Sequence, residues 1–268
     1  MSCSSCNSSC NCSSKKKNIE NNIKNVIGIM SGKGGVGKST VTVLIAKELS
    51  KRGYKVGIMD ADITGPSIPR LMGLSKEKAY GTPEEIFPVV SDDNIKVISL
   101  NLLNRSEDEP VIWRGPIVGS AVEQFWKDVV WGDLDFLLID MPPGTGDVAL
   151  TVMQSIKLTG IIMVSTPQDM VSMIVAKAVN MAKKMNVNIL GIIQNMSYIL
   201  CPCCDTKIEM NSSYSNDFMK EMNLELLESL PMMQEISNLS RGLMDKKIEN
   251  IFSNAVEKII NKINLLTK

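Results

Sequence analysis

Six short runs of apolar residues recur along the chain, and stretches with helical spacing of apolar positions separate them. Each run is nearly continuous in Ile, Val, Leu and Met, as expected for a strand that is covered on both faces. The runs are residues 23–30, 54–60, 95–100, 135–140, 160–166 and 188–195. The helical spacing is clear at Val118, Val122, Phe125 and Val129, and again at Val256, Ile259, Ile260, Ile263 and Leu266. This alternation predicts an α/β fold with a doubly wound, mostly parallel sheet and helices on both faces.

The domain organisation follows from where this pattern begins. Residues 1–18 are rich in Ser and Cys and lack the apolar residues needed for a core, so we expect a flexible Cys-rich arm. No change of composition follows residue 18, which predicts a single domain over 19–268. Residues 75–94 are expected to form an irregular insertion or a hairpin.

Composition narrows the function classes. Lys and Arg total 29 and so do Asp and Glu, so the formal net charge is zero and we expect no nucleic-acid partner. No run of 18 apolar residues occurs, so we expect no membrane partner and a cytoplasmic location. The chain has seven cysteines and no histidine. Thiolates and carboxylates are therefore the expected metal ligands.

Residues 32–40 read GKGGVGKST and lie between the first apolar run and a helical stretch that extends to about residue 52. They fit the phosphate-binding pattern G-x-x-x-x-G-K-[ST] in its strand–loop–helix context. Glycines allow backbone N–H groups to curl around phosphate oxygens at a helix N-terminus. Lys38 is expected to contact the β- and γ-phosphates of ATP, and Ser39 to place its hydroxyl on Mg²⁺. The predicted nucleotide-binding residues are Gly32, Lys33, Gly34, Gly35, Val36, Gly37, Lys38, Ser39 and Thr40.

Carboxylates follow two of the predicted strands. Asp60 and Asp62 end the second run and are expected to point the same way, because side chains alternate along an extended segment. Asp140 closes the apolar run FLLID, the arrangement of a Walker-B aspartate that holds Mg²⁺ mostly through water. A capping or turn role is the structural alternative for Asp60 and Asp62. The prolines and glycines of 141–147 (MPPGTGD) suit a switch that responds to the γ-phosphate.

Six segments occur in the order seen in the Mrp-type iron–sulfur cluster carrier proteins (Mrp/Nbp type), a family of deviant Walker-A P-loop ATPases. They span most of residues 28–205, and the chain therefore resembles this family. ParA- and MinD-like ATPases share the first segment and the Walker-B aspartate, but typically lack GPS, WRGP and the cysteine motif. The segments are GKGGVGKST, DADITGPSIP, WRGP (113–116), DMPPGTGD, STPQ (165–168) and NMSYILCPCC (195–204).

The resemblance implies a P-loop NTPase fold and roles for individual residues. Lys33 corresponds to the signature lysine that reaches the partner subunit's nucleotide, although a solvated loop lysine is the simpler alternative. Asp60 would join Ser39 and Asp140 in the Mg²⁺ shell, and Asp62 would orient the attacking water. Asn195 resembles an adenine-contacting asparagine, with a turn-forming role as the alternative. Lys33, Lys38 and Asp62 are the catalytic candidates of an ATP hydrolase with slow, gating turnover.

The cysteines form two groups. Cys201 and Cys204 make a C-x-x-C pair with Cys203 between them, and these two thiolates are too few for a [4Fe–4S] cluster, which ordinarily takes four. A symmetric homodimer would supply the other two, as in the family; zinc or a redox dithiol remain alternatives. The second group could ligate a cluster or zinc, or could be a tail without fixed metal. It comprises Cys3, Cys6, Cys10 and Cys12.

The sequence thus predicts a homodimeric ATPase that carries a [4Fe–4S] cluster and transfers it to apoprotein clients. The alternative is a ParA- or MinD-like positioning ATPase that acts on DNA or membrane. That alternative predicts a basic surface patch or an amphipathic C-terminal anchor, for which the last apolar helical stretch is the candidate.

Overall fold

The computed structural model describes residues 21–63, 65–82, 85–103, 115–168, 173–201, 203, 204, 206–210, 214–232 and 246–266. The predicted arm at 1–18 and its four cysteines lie outside these residues, as do Trp113 and Arg114 of the WRGP segment. The strands are β1 (Asn22–Ser31), β2 (Val56–Asp60), β3 (Tyr80–Gly81), β4 (Ile86–Phe87), β5 (Val89–Val90), β6 (Lys96–Ile98), β7 (Asp133–Asp140), β8 (Gly160–Ser165), β9 (Ile189–Leu200), β10 (Lys207–Glu209) and β11 (Leu226–Pro231). The helices are α1 (Lys38–Lys51), α2 (Ile68–Leu71), α3 (Leu100–Leu103), α4 (Gly115–Lys127), α5 (Asp147–Ser155), α6 (Met173–Lys184), α7 (Tyr214–Glu221) and α8 (Lys246–Leu266).

The central sheet has the order β10-β9-β8-β1-β7-β2-β6-β5, and β11 pairs with β9. The pairs from β9 through β8, β1, β7 and β2 to β6 are all parallel, as is the pair of β11 with β9. Only the pairs of β5 with β6 and of β10 with β9 are antiparallel among the described strands of this sheet. Strand order reverses around β1, which places the loop after β1 at a switch point where ligands bind in such sheets.

Helices cover both faces of the sheet, as predicted. Helices α1 and α8 pack on one face, where Leu44, Leu49 and Phe252 join the apolar core. Helices α4, α5, α6 and α7 pack on the other, around Phe125 and Trp131. Burying one such side chain fully contributes about 1.5–3 kcal/mol, so these two layers fix the ends of the strands relative to one another.

The last helix tests the candidate membrane anchor. The apolar face of α8 is buried, and α8 contacts α1 and β11. The buried residues are Phe252, Ala255, Val256, Ile259 and Ile263. This face belongs to the core, so the periodicity of α8 is explained by packing. Among the described residues, no helix has the length and apolar character to cross a membrane.

All six predicted strands are present, with different bounds. The strand predicted at 188–195 continues to Leu200, and the run predicted at 95–100 ends at Ile98 because Leu100 begins helix α3. Val129 lies beyond the end of α4, where it bridges Ile86. The short strands β10 and β11 and helix α7 were not predicted. Within 75–94 the structure contains the hairpin of β3 and β4 and the edge strand β5.

Candidate functional site

The loop between β1 and α1 has the backbone shape required to surround phosphate groups. Gly35 and Gly37 adopt φ values of 82° and 83°, which favour glycine. Gly37 is the N-cap of α1 and offers no side chain to cap the helix, so the first N–H groups of α1 remain available to an anion. The positive end of the α1 dipole and these N–H groups together form a site for phosphate oxygens.

Lys38, the first residue of α1, forms buried ion pairs with two carboxylates. Its ammonium lies 2.8 Å from Asp140 Oδ2 and 3.7 Å from Asp62 Oδ2. The side chains of Lys38 and Asp140 are 6% and 0% exposed, so this ion pair is shielded from solvent. A buried lysine with two carboxylate partners is fixed in place beside the loop, within reach of a phosphate group.

Asp140 also receives two hydroxyl donors. Ser39 Oγ donates to Oδ2 at 2.6 Å, and Thr42 Oγ1 donates to Oδ1 at 2.8 Å. Thr42 Oγ1 also lies 3.1 Å from the Lys38 carbonyl, but a hydroxyl has one proton and the closer carboxylate is the stronger acceptor. Thr42 was missed in the sequence, where its position four residues after Lys38, on the same helix face, was the available signal.

Asp60, the last residue of β2, is buried more deeply than Asp62. It pairs in register with Asp140, accepts a hydrogen bond from Ser99 Oγ at 3.1 Å, and accepts another from the Asp62 N–H at 3.1 Å. Burial, and next the negative charge of Asp140, raise the pKa of Asp60 well above its ordinary value, while Lys38 opposes this shift. Ser99, directly after β6, is fully buried and was also missed.

A cleft of about 320 Å³ opens above this cluster. Predicted site residues that line it are Lys33, Gly34, Gly35, Gly37, Lys38, Ser39, Thr40 and Asp62. Asp60 and Asp140 lie behind this lining, so Asp62 rather than Asp60 faces the cleft. Ser67 and Arg70 also line it, and they were not predicted. Lys33 is exposed at the rim, where a signature lysine would have to lie to reach a second subunit.

The 141–147 segment adjoins the phosphate loop, which we define as residues 32–37. Gly144 N–H donates to the Ser31 carbonyl at 2.8 Å, and Pro143 lies within 4.0 Å of where a side chain on Gly34 would begin. Thr145, Gly146 and Asp147 are exposed beyond this contact. A conformational change of the phosphate loop would therefore alter the contacts that hold this segment.

Asn195 packs behind the phosphate loop. Its Nδ2 donates to the Val36 carbonyl at 2.9 Å and its Oδ1 accepts from the Met196 N–H at 3.0 Å. Asn195 is buried and lies inside β9 rather than at a strand end, because β9 continues to Leu200. Asn195 thus contacts the loop backbone, and its contact with adenine stays a prediction.

The cysteine motif lies on the turn between β9 and β10. Cys201 N–H donates to the Thr206 carbonyl at 3.0 Å, which closes the turn. Cys203 and Cys204 are exposed and Cys201 is partly buried, and all three thiols are free. Thr206, whose hydroxyl lies 3.0 Å from Cys204 Sγ, lowers the pKa of the Cys204 thiol, and the Cys201 side chain adds to this effect. Cys204 is therefore accessible, and its lowered pKa favours the thiolate form that binds metal.

A glycine loop between a parallel strand and a helix, with a lysine, a serine and a strand-end aspartate converging on it, defines a P-loop NTPase. The model of the family described as ParA, NUBPL iron-transfer P-loop NTPase, matches residues 22–264. The chain belongs to this family. The resemblance to Mrp-type carriers and the predicted P-loop fold are thereby confirmed.

Curated relatives support the same assignment. An iron-sulfur cluster carrier protein of Clostridium perfringens is 50% identical over 220 residues, which is 80% of this chain and 78% of that protein. An iron-sulfur cluster carrier protein of Methanocaldococcus jannaschii is 45% identical over 242 residues, covering 88% of this chain and 83% of that protein.

Solved structures agree with the fold. A nucleotide-binding protein from Archaeoglobus fulgidus, in complex with ADP and with Co, has a TM-score of 0.72 and 41% identity, over 81% of this chain and 86% of that one. The cell division ATPase MinD of Pyrococcus furiosus has a TM-score of 0.62 and 24% identity, over 88% of this chain and 98% of that one. At that identity MinD supports the fold alone.

Proposed function

We propose that this protein is an ATP-dependent carrier that receives a [4Fe–4S] cluster as cargo, holds it between two copies of the chain, and transfers it to apoproteins. The observation that carries this proposal is an accessible C-x-x-C turn on a P-loop NTPase, with the side chains of Cys201 and Cys204 close enough to hydrogen-bond. Membership in a family of iron-transfer NTPases, and the names of the relatives, support the choice of cargo.

The cleft chemistry fits Mg²⁺-ATP. The N–H groups at the start of α1 and the Lys38 ammonium would bind phosphate oxygens. Ser39 Oγ and the Asp140 carboxylate, already in contact at 2.6 Å, offer the oxygen ligands that Mg²⁺ prefers. When bound, Mg²⁺ would neutralise phosphate charge during hydrolysis. Asp62, which faces the cleft beside Lys38, would orient the attacking water, and buried Asp60 would support the Mg²⁺ shell from behind.

Counting thiolates favours a dimer. Among the described residues, no three Cys, His, Asp or Glu side chains converge into a group that could hold a metal. The pair of Cys201 and Cys204 on one chain therefore has two ligands of the four that a [4Fe–4S] cluster ordinarily takes. A second copy related by two-fold symmetry supplies the other two. Lys33, exposed at the cleft rim, would reach the nucleotide of that second copy.

Hydrolysis would time release rather than drive chemistry on the cargo. The 141–147 segment adjoins the phosphate loop, since Gly144 binds the Ser31 carbonyl at the end of β1 and Pro143 lines the cleft. Loss of the γ-phosphate would therefore change how this segment is held. If one round of ATP hydrolysis accompanies the transfer of one cluster, hydrolysis need be no faster than transfer, and we therefore expect slow turnover. Hydrolysis would also weaken the contact between the two copies of the chain and expose the cluster to a client apoprotein.

Anaerobic reconstitution followed by transfer tests the proposal. The full chain is loaded with iron and sulfide, and cluster transfer is measured as activation of an apoenzyme that needs a [4Fe–4S] cluster, with and without Mg²⁺-ATP. Cys3, Cys6, Cys10 and Cys12 could bind iron by themselves, so they are replaced by Ser in every protein compared. With this change we expect about two irons per chain, and none above background after Cys201→Ser/Cys204→Ser. Cys203→Ser, in the same turn, is the matched control and should load normally. Stoichiometric iron in the double variant, or stoichiometric zinc in the chain that keeps Cys201 and Cys204 under these conditions, would refute the proposal.

A further inference from the structure

Strand β9 connects the phosphate loop to the cysteine turn within a single element. Asn195 binds the loop and Cys201 follows the end of the same strand, six positions along the chain. The strand has two differently paired halves. Residues 189–194 pair with β8 in the parallel sheet. Residues 198–200 pair with β10, and we call residues 198–209, which include the cysteine turn, the cysteine hairpin.

A bulge separates these halves at the residue that binds the loop. Gln194 pairs with Ser229 and Tyr198 with Pro231, so three residues of β9 (195–197) lie opposite the single residue 230 of β11. Met196, in the middle, has φ 54°, in the left-handed region that a methionine rarely adopts. A bulge bends its strand and changes the direction of the residues beyond it. The direction of the cysteine hairpin is therefore set at 195–197.

The bond from Asn195 also orients one end of a peptide group whose other end faces the cleft. The Val36 carbonyl and the Gly37 N–H belong to the same planar peptide, and it is trans. In a trans peptide these two groups point in opposite directions. Asn195 Nδ2 holds the carbonyl from the sheet side, and Gly37 lines the cleft. A phosphate oxygen that binds the Gly37 N–H therefore acts on the same rigid unit that Asn195 holds.

The packing around this bond is tight. A Cβ on Gly37 would overlap Asn195 Nδ2, so the side chain lies directly against the loop backbone. The Asn195 amide is also held at its other end, where Oδ1 accepts from the Met196 N–H at 3.0 Å. Movement of the Val36–Gly37 peptide is thus transmitted through the amide into the backbone of the bulge.

We propose that Asn195 is a positioning residue that links phosphate binding at the Val36–Gly37 peptide to the orientation of the cysteine hairpin. The link gives the proposed carrier a route by which nucleotide changes how Cys201 and Cys204 are presented. It rests on the proposed function for its purpose, but not for its physical basis, because phosphate binding and hairpin order are measurable without any cluster.

Two measurements on the metal-free full chain test the link. The first is the affinity for Mg²⁺-ADP and for Mg²⁺-pyrophosphate, which has no base. Asn195→Ala should weaken both by about threefold to tenfold, the loss of one hydrogen bond that orients a donor. Asn195→Asp, which keeps the side-chain volume but replaces the Nδ2 donor, should do the same. Loss of affinity for ADP alone would mean a contact with the base and would overturn the proposal.

The second measurement is hydrogen exchange of residues 197–210 with and without saturating Mg²⁺-ADP, at ten times the dissociation constant of each variant. In the wild type we expect the exchange rate of the Cys201 and Met210 amides to change by about fivefold, the low end for coupled sites. Asn195→Ala should remove this change.

Asn188→Ala is the matched control, because Asn188 adjoins the opposite end of β9 and its Nδ2 lies 3.5 Å from the Thr159 carbonyl, far from the loop. It should keep both the affinities and the exchange response. A hairpin that ignores nucleotide in the wild type, or one that still responds in Asn195→Ala, would overturn the link. Either result would leave iron loading through Cys201 and Cys204 unaffected, so it is separable from failure of the proposed carrier function.

Discussion

The ammonium of Lys38 lies 2.8 Å from the carboxylate of Asp140, where the first turn of α1 meets the end of β7. Both groups are almost fully buried, and the parallel register of β2 and β7 places Asp60 next to Asp140. Lys38 thus pairs directly with Asp62 and Asp140, and its charge also acts on neighbouring Asp60. This arrangement fixes the Lys38 ammonium beside the cleft, and it places three carboxylates close together in a buried region.

Lys38→Met should therefore affect both binding and stability. It removes the phosphate-binding cation and leaves Asp60 and Asp140 buried without their cation, which costs about 3–5 kcal/mol for a broken buried pair. Urea unfolding and Mg²⁺-ATP titration measure the two effects. Lys47→Met is the control, since Lys47 also lies on α1 and pairs with half-exposed Asp93 at 2.8 Å. Its loss should be about 0–1 kcal/mol with nucleotide affinity unchanged. Equal losses in the two variants would contradict this account.

Asp60→Asn should stabilise the protein at neutral pH, by roughly 0.5–2 kcal/mol, because burial and the negative charge of Asp140 both disfavour a charged carboxylate at this position. The folded pKa of Asp60 is raised above its unfolded value, so the folded state binds the extra proton. Wild-type stability therefore falls as pH rises from about 4 through the folded pKa.

The gain from Asp60→Asn should consequently be small near pH 4 and larger at pH 8, as measured by urea unfolding at the two pH values. The variant should also bind Mg²⁺-ATP less tightly. A gain that shrinks as pH rises would show that the sign of the Asp60 effect is wrong.

Thr42→Val should raise the Mg²⁺ concentration that nucleotide binding requires. Thr42 donates to Asp140 Oδ1 at 2.8 Å, while the other oxygen faces Ser39. Loss of a partner that orients a metal-binding carboxylate typically costs 10- to 100-fold in metal affinity, so we expect the Mg²⁺ half-saturation to rise about tenfold. Thr42→Ser keeps the hydroxyl and should behave as the wild type. The same Mg²⁺ requirement in the valine and serine variants would contradict the role of Thr42.

Gly37→Ala and Gly53→Ala separate two reasons for glycine in this fold. Both residues have positive φ, 83° and 87°, but only at Gly37 would a Cβ overlap another group, Asn195 Nδ2, whereas nothing lies within 4 Å at Gly53. Each variant should lose about 1 kcal/mol of stability from backbone strain, and Gly37→Ala should lose more because its Cβ overlaps Asn195. Only Gly37→Ala should also lose nucleotide affinity, as measured by titration. Weakened binding in Gly53→Ala would show that backbone strain alone reaches the loop.

The sequence predicted the strands and the phosphate loop because their signals are local. An apolar run, the glycine spacing of the loop and a carboxylate at a strand end can each be recognised from a few neighbouring residues. The strand β11 was missed because its six residues include Glu228 and it is stabilised by pairing with β9, which sequence pattern does not reveal.

Contacts between distant segments account for the rest of what was missed. The hydrogen bond from Asn195 to Val36 joins residues 159 positions apart, and the one from Ser99 to Asp60 depends on the pairing of β2 with β6. The sequence pattern places the end of the strand at Asn195, because Met196 and Ser197 follow the apolar run. In the structure, the bulge at 195–197 allows β9 to continue to Leu200.

In the proposed carrier, two copies of the chain share one cluster through two thiols each. Native mass spectrometry of the anaerobically reconstituted full chain tests it most directly. With Cys3, Cys6, Cys10 and Cys12 replaced by Ser, we expect a species of two chains with one [4Fe–4S] cluster, which is lost in Cys201→Ser/Cys204→Ser and kept in Cys203→Ser. Single chains that each hold a complete cluster, or a two-chain species whose cluster survives loss of Cys201 and Cys204, would contradict it.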